Sequence, residues 1–245
     1  TYFEPENARA AAKVLGAAGY RVHLAKSVVG NRPLCCGRTF LAAGLVDEAK
    51  AEARRMLDAL RPFVERGVPV VGLEPSCLFT LRDEFKAMFP GEDTDKLANS
   101  ALLFEEFLAR EHDTGALTLD LESAAGNRAM LHGHCHQKAF DAMSAVETVL
   151  RLIPDLEVET IRSGCCGMAG AFGFDADHYD VSMKMGELDL LPAVREVAEE
   201  DLIVAAGTSC RHQIRDGADR TARHPALVLE AALKDDQRDL DDASR

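Results

Sequence analysis

The chain has 245 residues, 47% of them hydrophobic, and a formal net charge of −13. That is enough apolar material to bury one large or two ordinary cores, with no apolar run of the roughly 18–20 residues needed to cross a bilayer. The acidic balance excludes nucleic acid as the partner, because phosphate binding needs clustered Lys and Arg. Much of the charge lies in Asp235–Asp242, which reads as a solvated tail.

In chain order, Ala8, Ala11, Ala12 and Leu15 follow helical spacing, and Gly19 is placed as the stop. Tyr20–Ala25 reads as a strand, followed by a loop into Cys35-Cys36-Gly37. A long amphipathic helix is expected over Leu45–Val64, and a short buried strand over Val68–Leu73 that delivers Glu74-Pro75-Ser76-Cys77. Leu78, Leu81, Phe85 and Met88 continue as one helix, Leu97–Arg110 as another, and Glu111–Asn127 reads as a connector. Arg128–His132 is then a strand, followed by the loop His132-Gly133-His134-Cys135-His136 and a helix over Phe140–Ile153. Leu156–Ile161 is a strand leading to Cys165-Cys166-Gly167, and Asp177–Ala198 is a helix with a break at Pro192. Asp201–Ala206 is a strand delivering Gly207-Thr208-Ser209-Cys210, with a helix from Arg211 and a last helix starting near Pro225.

Two halves therefore share one order of elements: helix, strand, CC-Gly, helix, strand, Ser-Cys, helix. In the two halves, 40 and 43 residues respectively lie between the CC pair and the cysteine of the Ser-Cys. Strands alternating with helices imply parallel sheets covered on both faces. The expected fold is α/β, two similar Rossmann-like parallel-sheet domains related by an internal repeat. They would occupy residues 1–112 and 126–234, with 235–245 an acidic tail. The first half has no counterpart of Arg128–His132, so a missing strand is expected before Thr1, on a longer protein.

Seven cysteines without secreted-type spacing favour metal or redox chemistry over a disulfide framework, and the expected location is cytoplasmic. Cys135, Cys165, Cys166 and Cys210 offer four thiolates from three loops, each at the carboxyl end of a strand, where open α/β sheets hold ligands. Adjacent cysteines project differently, so a CC pair suits a polynuclear cluster better than two corners of one tetrahedral ion. Gly167 and Gly170 let the backbone turn tightly and approach a bound inorganic group. The first half offers Cys35, Cys36 and Cys77 alone; the counterpart of Cys135 falls near Thr1–Pro5, where no cysteine stands. That site could hold a cluster, zinc or nothing. His132, His134 and His136 flank Cys135 and His212 follows Cys210; each could ligate a metal or relay protons, although a loop histidine is more commonly an ordinary hydrogen-bonded residue. Of these, His134, His136 and His212 are held as secondary ligands. A thiol–disulfide enzyme using Cys165 and Cys166 is the weaker reading, because vicinal disulfides are strained.

Cys35-Cys36-Gly37, Glu74-Pro75-Ser76-Cys77, His134-Cys135-His136, Cys165-Cys166-Gly167 and Thr208-Ser209-Cys210 together resemble the cysteine-rich CCG domain. That domain occurs in tandem in the cysteine-rich component of heterodisulfide reductase and in the iron–sulfur components of glycolate oxidase, lactate utilisation and glycerol-3-phosphate dehydrogenase. Tyr2-Phe3-Glu4-Pro5-Glu6-Asn7 and Leu131–Lys138 are most similar to the C-terminal part of fused FAD-linked oxidases that act on D-2-hydroxy acids. The resemblance implies a 4Fe-4S-type cluster in the second half, electron transfer, and partner domains or subunits carrying FAD and ferredoxin-like clusters. Peripheral attachment to the cytoplasmic membrane face is compatible with it. Cys210 is followed by Arg211-His212-Gln213 rather than a Cys-x-x-Cys, so the noncubane cluster of the heterodisulfide reductase branch is not carried over. The alternative is a zinc-bound structural or interaction domain without redox activity.

Overall fold

The computed structural model describes residues 4–124 and 126–234; the acidic tail expected at 235–245 lies outside them. In chain order the elements are α1 (Pro5–Ala17), α2 (Arg38–Ala42), α3 (Val46–Val64), β1 (Val70–Gly72), α4 (Pro75–Arg82), α5 (Glu84–Met88), α6 (Glu92–Ser100), β2 (Ala101–Leu103), α7 (Phe104–Asp113), β3 (Arg128–His132), α8 (Cys135–Ala139), α9 (Met143–Leu150), β4 (Glu157–Thr160), α10 (Tyr179–Gly186), α11 (Leu190–Arg195), β5 (Leu202–Ala205), α12 (Thr208–Ala218), β6 (Ala222–Arg223) and α13 (Pro225–Ala231). The fold is α/β with parallel sheets.

The chain divides into two compact units, one of residues 23–103 and one assembled from 1–22 and 104–245. Helix α1, at the start of the chain, packs on α13 near its end, burying Ala10, Ala11 and Val14, and Lys13 pairs with Glu230 at 2.9 Å. Helix α7 packs on α9. Apolar stripes thus find their partners in the larger unit, whichever side of the connector they come from.

The smaller unit is built on α3. Its first turn carries Asp47 and Glu48, which suits the positive end of the helix dipole, and Ala49, Ala53, Leu57 and Leu60 form one buried face. Phe79, Phe85 and Leu97 fill the core opposite. Strands β1 and β2 pair in parallel, Val71 opposite Leu102.

The larger unit contains a four-stranded sheet in the order β4-β3-β5-β6, all neighbours parallel. Strand β3 is central, with Ala129 and Leu131 fully buried, as a strand covered on both faces must be. Because the strands run the same way, β3, β4 and β5 all end at one edge, and the segments carrying Cys135, Cys165–Cys166 and Cys210 leave from it.

Several expected elements differ. Residues 20–25 form no strand; Val22 and Leu24 are 41% and 79% exposed. A strand exists only through its ladder partners, and among the described residues none lies beside this segment. The helix expected over Leu97–Arg110 is interrupted by β2, because Ala101–Leu103 pairs with β1 and Leu103 and Phe104 are buried. The helix through Leu78 and Met88 breaks at Asp83. The helix over Asp177–Ala198 breaks at residues 187–189 rather than at Pro192, which sits in the first turn of α11, where its missing N–H is not needed. The connector is tied back to the end of the chain: Glu122 N–H donates to the Ala232 carbonyl at 2.8 Å.

One buried charge stands out. Glu105 on α7 is fully buried, and its carboxyl oxygens have no hydrogen-bond partner among the described residues. Burial pushes its pKa up to about 7, with Glu106 acting in the same direction and Arg211 against it. An acid raised in the folded state binds more protons folded than unfolded. Stability is therefore complete below the ordinary carboxyl range and is lost as pH climbs from about 4.5 to about 7. The loss amounts to roughly 3 kcal/mol. Glu105→Gln should abolish this slope and be the more stable protein at pH 8, as read by denaturant melts at pH 5 and pH 8. Parallel pH curves for the two proteins would contradict the assignment.

Candidate metal centre

Each CC-Gly loop turns on its glycine. Gly37 and Gly167 have φ of +80° and +98°, the left-handed region that disfavours side chains. In both, the glycine N–H donates to the sulfur two residues earlier, Gly37 to Cys35 and Gly167 to Cys165, each at 3.4 Å. In both, the glycine lies against a helix backbone: an added Cβ would meet the Ala49 carbonyl oxygen at 2.8 Å at Gly37 and the Ser182 carbonyl oxygen at 2.1 Å at Gly167. The first cysteine of each pair is half-buried and the second buried. The Ser-Cys segments also match locally: Cys77 and Cys210 are each the third residue of a helix, α4 and α12. Cys135 opens α8. Helix N-termini favour the thiolate.

In the larger unit the four sulfurs form a chain of contacts, Cys135 to Cys165, Cys165 to Cys166, and Cys166 to Cys210. They share protons unequally. Contact with Cys165 pushes the Cys135 thiol up, and contacts with Cys165 and Cys210 push Cys166 up. Hydrogen bonding from Cys135 and Cys166 holds Cys165 far below the ordinary thiol range. Cys210 is lowered by Cys166, against the effect of burial, with His132 assisting. Cys166 and Cys210 sit in an apolar cluster with Ile161, Met168, Ile203 and Ile214, a dry floor, whereas Cys135 is exposed at the mouth.

Three contacts brace the loops. Ser209 Oγ donates to the Gly170 carbonyl at 3.2 Å. Lys138 Nζ donates to the Ser163 carbonyl and, at 3.0 Å, to that of Gly164. Arg211, 6% exposed, binds the Glu4 carboxylate and the Ala205 and Ala206 carbonyls at 2.7 and 2.8 Å, fixing the turn between β5 and α12. Gly170, with φ of +71°, has open space around the Cβ position.

The histidines divide. His134 Nδ1 accepts from the His136 N–H at 3.1 Å while Gln137 Oε1 accepts from the His134 N–H at 3.1 Å, a capping box for α8. Burial lowers the His134 pKa. The His136 ring lies edge-on to that of His134 at 5.1 Å. The His212 ring lies edge-on to Phe174 at 5.9 Å. His134 Nδ1 also lies 3.9 Å from the Cys135 sulfur, and the histidine beside the inner sulfurs is His132, the last residue of β3: its ring nitrogen and the sulfurs of Cys166 and Cys210 all lie within 4.8 Å of one another, and all three residues are buried. His132 Nε2 has no hydrogen-bond partner among the described residues. Its position beside Cys135 marked it as a candidate; nothing in the sequence ranked it above His134. Arg211 and Glu4, 207 positions apart, carried no local signal.

Soft thiolates converging from three loops, with a buried ring nitrogen lacking a partner among them, suit a metal or an iron–sulfur cluster. In the smaller unit Cys35, Cys36 and Cys77 also touch. Contact with Cys36 raises the Cys35 thiol. For Cys36 the contact with Cys35 acts downward, but Cys77 and burial push it up to about 12, and Cys77 is lowered in turn.

A parallel α/β unit with cysteines gathered at one sheet edge defines a cysteine-rich ligand-binding module. The family model described as "Cysteine-rich domain" (CCG) matches residues 1–82 and 129–215, and the chain belongs to that family. It is 31% identical over 235 residues to a component of the anaerobic glycerol-3-phosphate dehydrogenase of Escherichia coli, covering 95% of this chain and 56% of that protein. It is 30% identical over 231 residues to D-2-hydroxyglutarate dehydrogenase of Pseudomonas putida, covering 93% of this chain and 21% of that one. Lactate utilization protein A 1 of Bacillus mycoides is 25% identical over 241 residues, with 93% and 91% covered. The chain thus spans about half the length of the first of these relatives and a fifth of the second.

Gly167→Ala should be destabilising by more than the roughly 1–2 kcal/mol of left-handed backbone strain, because the Ser182 carbonyl must also move. Gly170→Ala should show the backbone part alone. Thermal melts and metal uptake of the two variants check this; equal, small losses would contradict a tightly held CC-Gly loop.

Proposed function

We propose that this chain is an iron–sulfur electron-transfer module of a flavin-dependent dehydrogenase. Its larger unit would hold the cluster, of the 4Fe-4S type, through Cys135, Cys165, Cys166 and Cys210. The observation that carries this reading is the convergence of four thiols from three loops at the carboxyl edge of one parallel sheet. Such a cluster, when bound, takes up and releases one electron at a time. The protein's own part is to supply four thiolates, to keep Cys166 and Cys210 dry in the apolar floor, and to aim the Gly167 N–H at Cys165, where hydrogen bonds to sulfur tune a potential. Cys135 at the exposed mouth gives an electron donor or acceptor its nearest approach.

The relatives' names concern glycerol 3-phosphate, D-2-hydroxyglutarate and lactate, all small anionic alcohols. We infer a 2-hydroxy acid or similar anionic alcohol as the substrate, oxidised at FAD on another domain or subunit, with ferredoxin-like clusters between. The module works in the cytoplasm, at the membrane face if its acceptor is there; among the described residues no helix is long and apolar enough to cross a membrane. The matching CC-Gly and Ser-Cys geometries support two cysteine-rich repeats, 1–112 and 126–234, of which the first has three visible thiols. Zinc without redox activity is the competing occupant.

After anaerobic loading with ferrous iron and sulfide, Cys210→Ser should lose most of its iron, while Cys77→Ala keeps most. Equal loss in both would contradict the placement of the cluster in the larger unit.

A further inference from the structure

We propose that His132 is a nitrogen ligand of the centre, forming with Cys166 and Cys210 an inner coordination corner of mixed nitrogen and sulfur donors, while Cys135 and Cys165 serve the outer side. This rests on the reading that the larger unit binds a metal centre, and names a ligand that the cysteine motifs do not contain.

Three observations carry it. A ring nitrogen of His132 and the sulfurs of Cys166 and Cys210 lie within 4.8 Å of one another, so a small inward shift brings them within reach of one metal with bonds of about 2.0 Å to nitrogen and about 2.3 Å to sulfur. His132 is 1% exposed and its Nε2 has no hydrogen-bond partner among the described residues, although buried ring nitrogens are ordinarily satisfied. Third, the ring is already held from behind: Nδ1 lies 2.9 Å from Ser163 Oγ. With Nδ1–H donating to Ser163, Nε2 is left as the lone-pair nitrogen, the arrangement in which a ligating histidine is oriented by its other nitrogen.

Ser163 belongs to the CC-Gly loop, two residues before Cys165, and its carbonyl is gripped by Lys138 from α8. One contact therefore locks the ring of β3 to the loop after β4. Two other candidate histidines are placed differently: His134 uses Nδ1 to cap α8 and lies 3.9 Å from the outer Cys135 sulfur, and His212 faces Phe174. A neutral nitrogen donor adds no negative charge to the ligand set, so exchanging it for a thiolate lowers the reduction potential, the reverse of what histidine does where it replaces cysteine on an iron of a two-iron cluster.

The test uses the full chain, purified anaerobically and loaded with ferrous iron and sulfide, with the absorption fine structure read at the edge of whichever metal is retained. The wild type should show outer-shell scattering from one imidazole. His132→Cys should keep the metal, lose that scattering and shift the reduction potential downward; His212→Gln should keep it. Ser163→Ala, a milder change, should broaden the imidazole signal and make the potential more variable between preparations. Iron and sulfide bound without imidazole scattering in the wild type overturns this inference and leaves the iron–sulfur reading standing. Zinc with imidazole scattering and no sulfide overturns that reading and supports His132. Scattering that survives in His132→Cys overturns it, and a chain that binds no metal at all overturns both.

Discussion

Four sulfurs in a connected chain, from the exposed Cys135 to Cys166 and Cys210 in an apolar cluster, set the terms for the larger unit. Two thiolates 4 Å apart repel by about 4 kcal/mol at an effective dielectric of 20, and more where water is excluded. All four therefore cannot be ionised together without a cation among them. Without one they share protons, contact raising the Cys135 and Cys166 thiols and lowering those of Cys165 and Cys210. A metal centre relieves the same repulsion and releases the protons. The rest of the unit can be understood as holding the sulfurs close despite it.

The holding is done by backbone direction first and by side chains second. Parallel strands bring three loops to one edge, and the helices that follow begin with Cys135 and with the Thr208-Ser209-Cys210 turn. Gly167 permits the close pass of the CC loop beneath α10, and Arg211 straps the β5–α12 turn to Glu4. Arg211 is also the cation that partly offsets Glu105, so the buried acid and the cysteine loop share a support.

Much of the larger unit's architecture was legible in the sequence because it is local. Arg128–His132 and the apolar run around Ile203 are short buried strands flanked by loops, and both are where the hydrophobic pattern puts them. The CC-Gly triplets announced tight turns because a glycine after two cysteines has few other uses. What was not legible depends on pairing across the chain. Tyr20–Ala25 has strand-like residues but no ladder partner, and Ala101–Leu103 became a strand inside an apparent helix because β1 was there to pair with. The first helix joined the larger unit because its alanine face fits α13. His132 looked like one of several loop histidines until the strand's end placed its ring against Cys166 and Cys210.

The account stands on the identity of what the four sulfurs bind. Iron and acid-labile sulfide should be determined on the full chain after anaerobic loading, together with its visible absorption before and after dithionite. The account predicts iron and sulfide in equal amounts and a broad visible band that bleaches on reduction and returns on mild oxidation. Zinc, no labile sulfide and a colourless protein would contradict it.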